Sequence, residues 1–261
     1  MRTRRLLIAG TAMILIVGML GASEKHEKWM DEPFRKWDQK QVAELLNNSA
    51  WAQTKAFRGQ AAAGGSRGGG RSGGRGQNAG TMGPGAGATP GTDVAEFNFT
   101  ARFFSAEPIR EAYVRMLQIM NHYDALPADR QQAFDQKVDG LLHADAGQQV
   151  EVTLSYAIND PVAMRDLNEW FNTQTADTLK QNAYLYTPSA GQLELLKYFS
   201  PQQGGGLGAQ FIFPRTLHGE PILQPGPGRL RFQLSHLPRL NQTMYIDFKP
   251  KEMTYKGQFS Y

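Results

Sequence analysis

The stretch DVAEFNFTARFFS, residues 93–105, decides how the chain is organised. Its aromatic residues Phe97, Phe99 and Phe103 alternate with residues that favour β-structure, which predicts a strand. Upstream, the second half of AWAQTKAFRG (residues 50–59) has the pattern of a short extended segment. The helix and strand before residue 59 are together too short to fold alone. We therefore predict that the two segments pair as a hairpin within one domain.

The connection between these strands, residues 59–92, is rich in glycine and arginine. It holds half of the 28 glycines of the chain and includes GGSRGGGRSGGRG. Because it has almost no large apolar side chain to offset its ordering entropy, we predict that it is disordered. Such a long connection is tolerable, since the cost of loop closure grows only logarithmically with length. A solvated loop is favoured over an adhesive contact with an anionic polymer, because no aromatic residue is interleaved.

The N-terminus has the layout of a secretory signal peptide. Arg2, Arg4 and Arg5 precede an uncharged apolar run, and the small residues Gly21 to Ser23 follow it. Cleavage is expected after Ser23 or Ala22, with an uncleaved anchor as the alternative. The chain contains no cysteine, so an exported protein would depend on its core and not on disulfides. We expect export to the periplasm or the extracellular space, with no membrane span after cleavage.

The charge distribution argues against a specific nucleic-acid partner. The chain has a formal charge of +4 from 28 basic and 24 acidic residues. Three arginines lie in residues 1–23 and three more in residues 59–92, so acids outnumber bases in the remainder. A nucleic-acid-binding domain would concentrate positive charge on its folded surface instead.

The remaining pattern predicts an α+β fold. Amphipathic helical segments come first, and from residue 182 onward short segments of period two alternate with Gly and Pro clusters. Candidate strands are AYLYT, LELLKYF, AQFIFPR, LRFQLSH and MYIDFKP. We predict one domain with a mainly antiparallel sheet and three to four packed helices. Its parts are a signal peptide (1–23), an N-terminal helix and strand (24–58), the disordered insertion (59–92) and the remainder (93–261).

Candidate chemistry is sparse. There is no cysteine nucleophile and no G-x-S-x-G elbow, and no two histidines have the spacing of a zinc-binding helix. His143 and Asp145 form an H-x-D pair that can ligate a metal, but a solvated polar pair at a helix end is the simpler interpretation. We predict no catalytic residue, no metal and no cofactor.

Tryptophans supply the candidate binding residues. Trp29, Trp37 and Trp51 cluster early in the chain. They are interpreted as packing residues that hold the first helix on the sheet, with an aromatic platform for a sugar or peptide as the alternative.

Several short motifs carry a family resemblance. Trp37 is followed by Ser49-Ala50-Trp51-Ala52, then by the strand into RFFSAEPIREA, by FPR (213–215) and by KEMTYKG (251–257). This order resembles a group of uncharacterised exported bacterial proteins with a W-x(n)-S-x-W-A segment. The resemblance implies export and carries over no activity and no catalytic residue.

The functional hypothesis that follows is a non-enzymatic binding protein or a structural protein of the cell envelope. Its partner would be an envelope protein or a polysaccharide. The alternative is a hydrolase that acts on an envelope or extracellular polymer, with His143, Asp145 and aromatic residues along its cleft.

Overall fold

The computed structural model describes residues 28–61, 94–144 and 147–261. Five α-helices lie in these ranges: α1 (Gln39–Asn47), α2 (Glu107–Met120), α3 (Ala128–Leu142), α4 (Pro161–Thr173) and the single turn α5 (Ala176–Leu179). Short 3-10 helices span Lys28–Asp31, Phe34–Lys36, Tyr123–Ala125 and Pro250–Glu252. None of the helices in the described ranges is both long and apolar enough to cross a membrane.

The strands form two main sheets. The first has the order β1-β2-β3-β7-β6 and the second the order β11-β10-β4-β5, and all their pairings are antiparallel. The strands are β1 (Ala52–Gln60), β2 (Val94–Phe103), β3 (Gln149–Ile158), β4 (Ala183–Thr187), β5 (Gly191–Glu194), β6 (Lys197–Phe199), β7 (Ala209–Pro214), β10 (Leu230–Leu234) and β11 (Met244–Phe248). Two small hairpins pair β8 (Thr216–Leu217) with β9 (Glu220–Pro221) and β12 (Thr254–Tyr255) with β13 (Gln258–Phe259). The α+β prediction is confirmed, with two main sheets in place of one.

The predicted hairpin across the glycine-rich connection is confirmed. β1 and β2 pair from Ala52 opposite Arg102 to Gln60 opposite Val94. Gly59 and Gln60, which were assigned to the disordered insertion, belong to β1 because their partners Ala95 and Val94 continue the ladder. Residues 62–92 of that insertion lie outside the described residues, as does the predicted signal peptide (residues 1–23).

The two sheets pack face to face around a single core. From the five-stranded sheet, Phe103 and Phe211 point inward, and from the four-stranded sheet Phe232 and Phe248 do the same. The ring centroids of Phe103 and Phe248 are 4.8 Å apart, and those of Phe211 and Phe232 are 5.0 Å apart. All four side chains are buried. Aromatic contacts of this kind add to the free energy of burial itself.

Helices cover the other side of the five-stranded sheet. Asp38 and Gln41 form a capping box at the start of α1: the Asp38 side chain accepts from the Gln41 amide at 2.8 Å, and the Gln41 side chain accepts from the Asp38 amide. The apolar face of α1 contacts β1 and β2, and α2 packs against α1 and α3. On the inner face of this sheet, which carries Phe99 and Phe103, α4 packs on β3 through Phe171. The ring of Phe171 stacks on that of Tyr156, with their centroids 4.9 Å apart.

One predicted strand is divided between the two sheets. LELLKYF forms the end of β5, which pairs with β4, and then β6, which pairs with β7. The chain crosses between the sheets at Leu195 and Leu196, of which the first is buried and the second is 49% exposed. A single alternating run predicted one strand because the sequence pattern does not show which sheet each half joins.

Candidate functional site

The outward face of the four-stranded sheet carries side chains that point away from the core. Inward residues such as Leu185, Phe232 and Ile246 are fully buried or nearly so. The alternate residues of β4, β5, β10 and β11 point the other way and remain partly or fully exposed. They are Tyr184, Tyr186, Gln192, Glu194, Arg231, Gln233, Tyr245 and Asp247. We call this surface the open face.

The pairing register arranges the open face in two rows across the four strands. One row runs Asp247, Arg231, Tyr186, Gln192, and the other runs Tyr245, Gln233, Tyr184, Glu194. Directly opposed side chains on a sheet lie about 5 Å apart and contact one another. The register therefore brings aromatic, amide and charged groups from distant parts of the sequence into one continuous surface.

The β4 side of the open face is an aromatic pair. The rings of Tyr184 and Tyr186 have centroids 6.0 Å apart and are tilted by 57°. Among the described residues, neither hydroxyl has a hydrogen-bonding partner within the chain, and the Gln233 amide beside Tyr184 has none either. Aromatic rings with free polar tips are suited to ligands that have both an apolar surface and hydroxyl groups.

The β10 and β11 side is charged. Arg231 donates two hydrogen bonds to Asp247, from Nε at 2.7 Å and from Nη2 at 3.1 Å. Hydrogen bonding to Asp247 raises the pKa of Arg231 further above its ordinary value. The Tyr245 ring is occupied by cations, with Lys55 Nζ 3.3 Å and the Arg231 guanidinium carbon 4.3 Å from its centroid. Its ring is thus already engaged, unlike those of Tyr184 and Tyr186.

Two shallow depressions lie at this charged end. One is lined by Tyr186, Arg229, Arg231 and Gln233, and its neighbour by Gly228, Arg229, Asp247, Phe248 and Lys249. Both share Arg229. Their shallow, open form suits a chain lying across the surface better than a small molecule enclosed in a cleft.

The tryptophans predicted as binding candidates lie elsewhere. Trp37 and Trp51 are 1% and 2% exposed, and Trp29 is partly buried against the Trp37 ring at 5.6 Å. The Trp51 indole donates to the Ser260 carbonyl at 2.7 Å, which ties the N-terminal segment to the C-terminus. Buried rings cannot offer a face to a ligand, so the packing interpretation describes Trp37 and Trp51.

The structure does not bring the predicted metal candidates into a site. His143 is exposed at the end of α3, and its Nδ1 lies 3.0 Å from Asp139. Asp145 lies outside the described residues. No group of three or more potential metal ligands occurs within the described ranges.

A denser set of titratable groups anchors the C-terminal hairpin. The Tyr255 hydroxyl and Lys256 Nζ both donate to the Glu111 carboxylate of α2, and Lys256 also donates to Glu107 at 2.9 Å. Burial and these carboxylates raise the pKa of Tyr255 above its ordinary value. Lys256 and Gly257 both have positive φ, as a tight two-residue hairpin turn requires. Each of these groups has a partner within the cluster, and the contacts attach the C-terminal hairpin to α2. The cluster is therefore interpreted as structural.

The motifs behind the family resemblance have structural roles of the same kind. Ser49 Oγ donates to the Leu45 carbonyl and accepts from the Trp51 amide, so it ends α1 and directs the chain into β1. Ala106 and Ile109 are fully buried at the start of α2, and Met253 is buried before the final hairpin. No family model, curated protein or solved structure matches the chain.

Sequence reasoning missed the residues of the open face, although it found their strands. Tyr184, Tyr186 and Tyr245 occupy the positions that the alternation assigns to the solvent side. Aromatic residues on the polar side of a predicted strand were the available signal. Their grouping was not visible, because it depends on the register of three strands that are far apart in sequence.

Proposed function

We propose that the protein is exported and acts as a non-enzymatic binding protein of the periplasm or the extracellular space. Its ligand is a polysaccharide, held on the open face. The observation that carries this proposal is the partly exposed pair Tyr184 and Tyr186, whose hydroxyls have no hydrogen-bonding partner among the described residues. The basic and apolar pattern of residues 1–23 supports export.

The chemistry of the open face favours a sugar chain over other ligands. A pyranose ring presents C–H groups on its faces and hydroxyls at its rim, so it can pack on a tyrosine ring while its hydroxyls reach neighbouring amides. Gln192 and Gln233 each offer two donors and an acceptor beside the tyrosine pair. A surface that crosses four strands without a deep cavity accommodates a chain of linked sugars.

A binding role is favoured over hydrolysis by the state of the acidic groups on this face. Glycoside hydrolysis needs two carboxyl groups placed on either side of the scissile bond. Asp247 is engaged by Arg231, and Glu194 lies in the other row, on the strand at the opposite edge of the sheet. Neither carboxylate has the other as a partner across the tyrosine pair.

Affinity electrophoresis of the chain from residue 24 through gels that contain single polysaccharides tests the proposal. At least one extracellular or envelope polysaccharide should retard the protein. Tyr184→Ala with Tyr186→Ala should abolish the retardation, since it removes both rings on which the sugars would pack. The double Phe variant keeps the rings and should retain most of the binding.

A matched control removes an exposed aromatic ring elsewhere. Phe199 is 39% exposed on β6, in the other sheet. Phe199→Ala should leave retardation unchanged. Equal loss in Phe199→Ala, or full binding by the double Ala variant, would contradict a site on the open face.

A further inference from the structure

We propose that the polysaccharide is an acidic one, and that Arg229 binds the carboxylate of a uronic acid unit whose ring lies on Tyr186. This inference rests on the proposed function and narrows it to one class of ligand. It follows from how charge is distributed over the open face and its margin.

Cations exceed acids at the charged end of the open face. Arg229 and Arg231 lie beside the single carboxylate of Asp247, whose oxygens are 3.6 Å from Arg229 and 2.7 Å from Arg231, and Lys55 adds a third cation over the Tyr245 ring. One carboxylate cannot neutralise three cations. The excess positive charge lies beside a depression lined by Tyr186, which is the ring available for stacking.

Arg229 is the cation that remains available. Arg231 holds Asp247 in a bidentate pair and packs on the Tyr245 ring, so its geometry is fixed. The distance of 3.6 Å from Arg229 Nη1 to Asp247 exceeds that of a hydrogen bond, and the Arg229 side chain is 67% exposed. A planar guanidinium in this state can form the two parallel hydrogen bonds that a ligand carboxylate accepts.

Gly228 positions Arg229 beside the tyrosine. Its φ is +120°, and a Cβ at this position would lie 2.7 Å from Cγ and 2.9 Å from Cβ of Pro188. Glycine therefore lets the loop before β10 lie directly against Pro188, the residue that follows β4. This contact brings the start of β10, with Arg229, to the end of β4 that carries Tyr186.

The β5 edge of the sheet determines which way the ligand chain is oriented. Glu194 lies next to Tyr184 in the second row. A negative group repels a ligand carboxylate there and favours it at the Arg229 end. We infer that a uronate lies over Tyr186 and that the sugar over Tyr184 is neutral or directs its carboxylate away from Glu194.

Binding is compared between polygalacturonate and its fully methyl-esterified form. The two polymers have the same sugar backbone, but only the first carries negative carboxylates. We expect the unesterified polymer to bind at least about tenfold more tightly at low salt, since hydrogen bonds to charged groups contribute more than neutral ones. Arg229→Gln should remove most of this preference and leave binding to the methyl ester unchanged. Arg130→Gln removes an exposed arginine of α3 and should retain the preference.

The outcomes distinguish this inference from the proposed function. Equal affinity for both polymers, lost in the Tyr184→Ala, Tyr186→Ala variant, would overturn the acidic ligand and leave polysaccharide binding intact. No binding to either polymer, or to any polysaccharide in the electrophoresis series, would overturn both. Equally tight binding to poly-glutamate or to poly-uridylate would show general attraction to polyanions and would overturn recognition of a uronic acid.

Discussion

The outer faces of the two sheets differ: helices cover that of the five-stranded sheet, which we call the covered face, whereas that of the four-stranded sheet is the open face. On the five-stranded sheet, Arg102 points outward beneath α1 and donates to the Leu46 carbonyl, to Asn47 Oδ1 at 3.0 Å and to Ser155 Oγ at 2.8 Å. On the four-stranded sheet, Arg229 stands at the margin of the open face without a hydrogen bond to Asp247. Arg102 is held by hydrogen bonds within the fold, whereas the Arg229 side chain is largely exposed to solvent.

The two arginines differ in their partners within the fold and not in residue type. Arg102 places a cation at the C-terminal end of α1, where the helix dipole is negative and carbonyls lack partners within the helix. Burial lowers the pKa of Arg102 to about 10, so it remains charged at neutral pH. On the same face of the five-stranded sheet, the Thr54 and Thr100 hydroxyls form a hydrogen bond of 2.8 Å.

The largest effect should come from removing the arginine of the covered face. Arg102→Met leaves the carbonyl of Leu46 and the side chains of Asn47 and Ser155 without their donor, so we expect a loss of about 2–4 kcal/mol in the free energy of unfolding. Urea denaturation of the chain from residue 24 measures it. Arg229→Met, the matched change at the margin of the open face, should cost less than about 1 kcal/mol, because the Arg229 side chain is 67% exposed. A similar loss of unfolding free energy in both variants would contradict the proposed difference between the two faces.

A carboxylate on the covered face should give a smaller effect of opposite sign. Burial raises the pKa of Glu151 from 4.5 to about 6, only partly offset by Arg110. A raised folded-state pKa means that the ionised form destabilises the fold, fully above about pH 6 and not at all below about pH 4.5. Glu151→Gln should therefore stabilise the protein by about 1–2 kcal/mol at pH 7.5. The gain should fade towards pH 4.5, and a gain independent of pH would contradict this account.

The smallest effect on stability should come from the tyrosine pair. Tyr184 and Tyr186 are only partly buried and have no hydrogen bonds from their hydroxyls within the described chain. Replacing both by alanine should change the melting temperature by only a few degrees, while it abolishes polysaccharide binding. Thermal unfolding followed by circular dichroism measures this. A collapse of the fold would show that these rings are structural, like those of the core.

Much of the fold could be predicted because local patterns and tertiary structure agree. Phe97, Phe99 and Phe103 alternate inward as expected, and the capping box at Asp38 starts α1 where its sequence indicates. The end of α2 departs from its apolar spacing, since Met120 there is 53% exposed. The helix ends there, and the 3-10 turn that follows buries Tyr123 in its place.

The candidate site could not be predicted, because residue type alone favoured the tryptophans, of which Trp37 and Trp51 are buried. Trp37 and Trp51 are the larger rings, and the same size that makes them attractive for binding makes their burial more favourable. Tyr184 and Tyr186 have an ordinary appearance within AYLYT. Their significance depends on lying beside Gln233 and Arg231, which only the register of β4 and β10 establishes.

The most direct test of the central claim is a map of backbone amide chemical shifts for the isotope-labelled chain from residue 24, titrated with a short oligogalacturonate. If the open face binds the ligand, shift changes should occur in β4, β10 and β11, centred on Tyr186 and Arg229, with none in α1 or α3. Changes centred on the helices over the five-stranded sheet, or no changes at saturating oligosaccharide, would contradict the assignment of the open face as the binding surface.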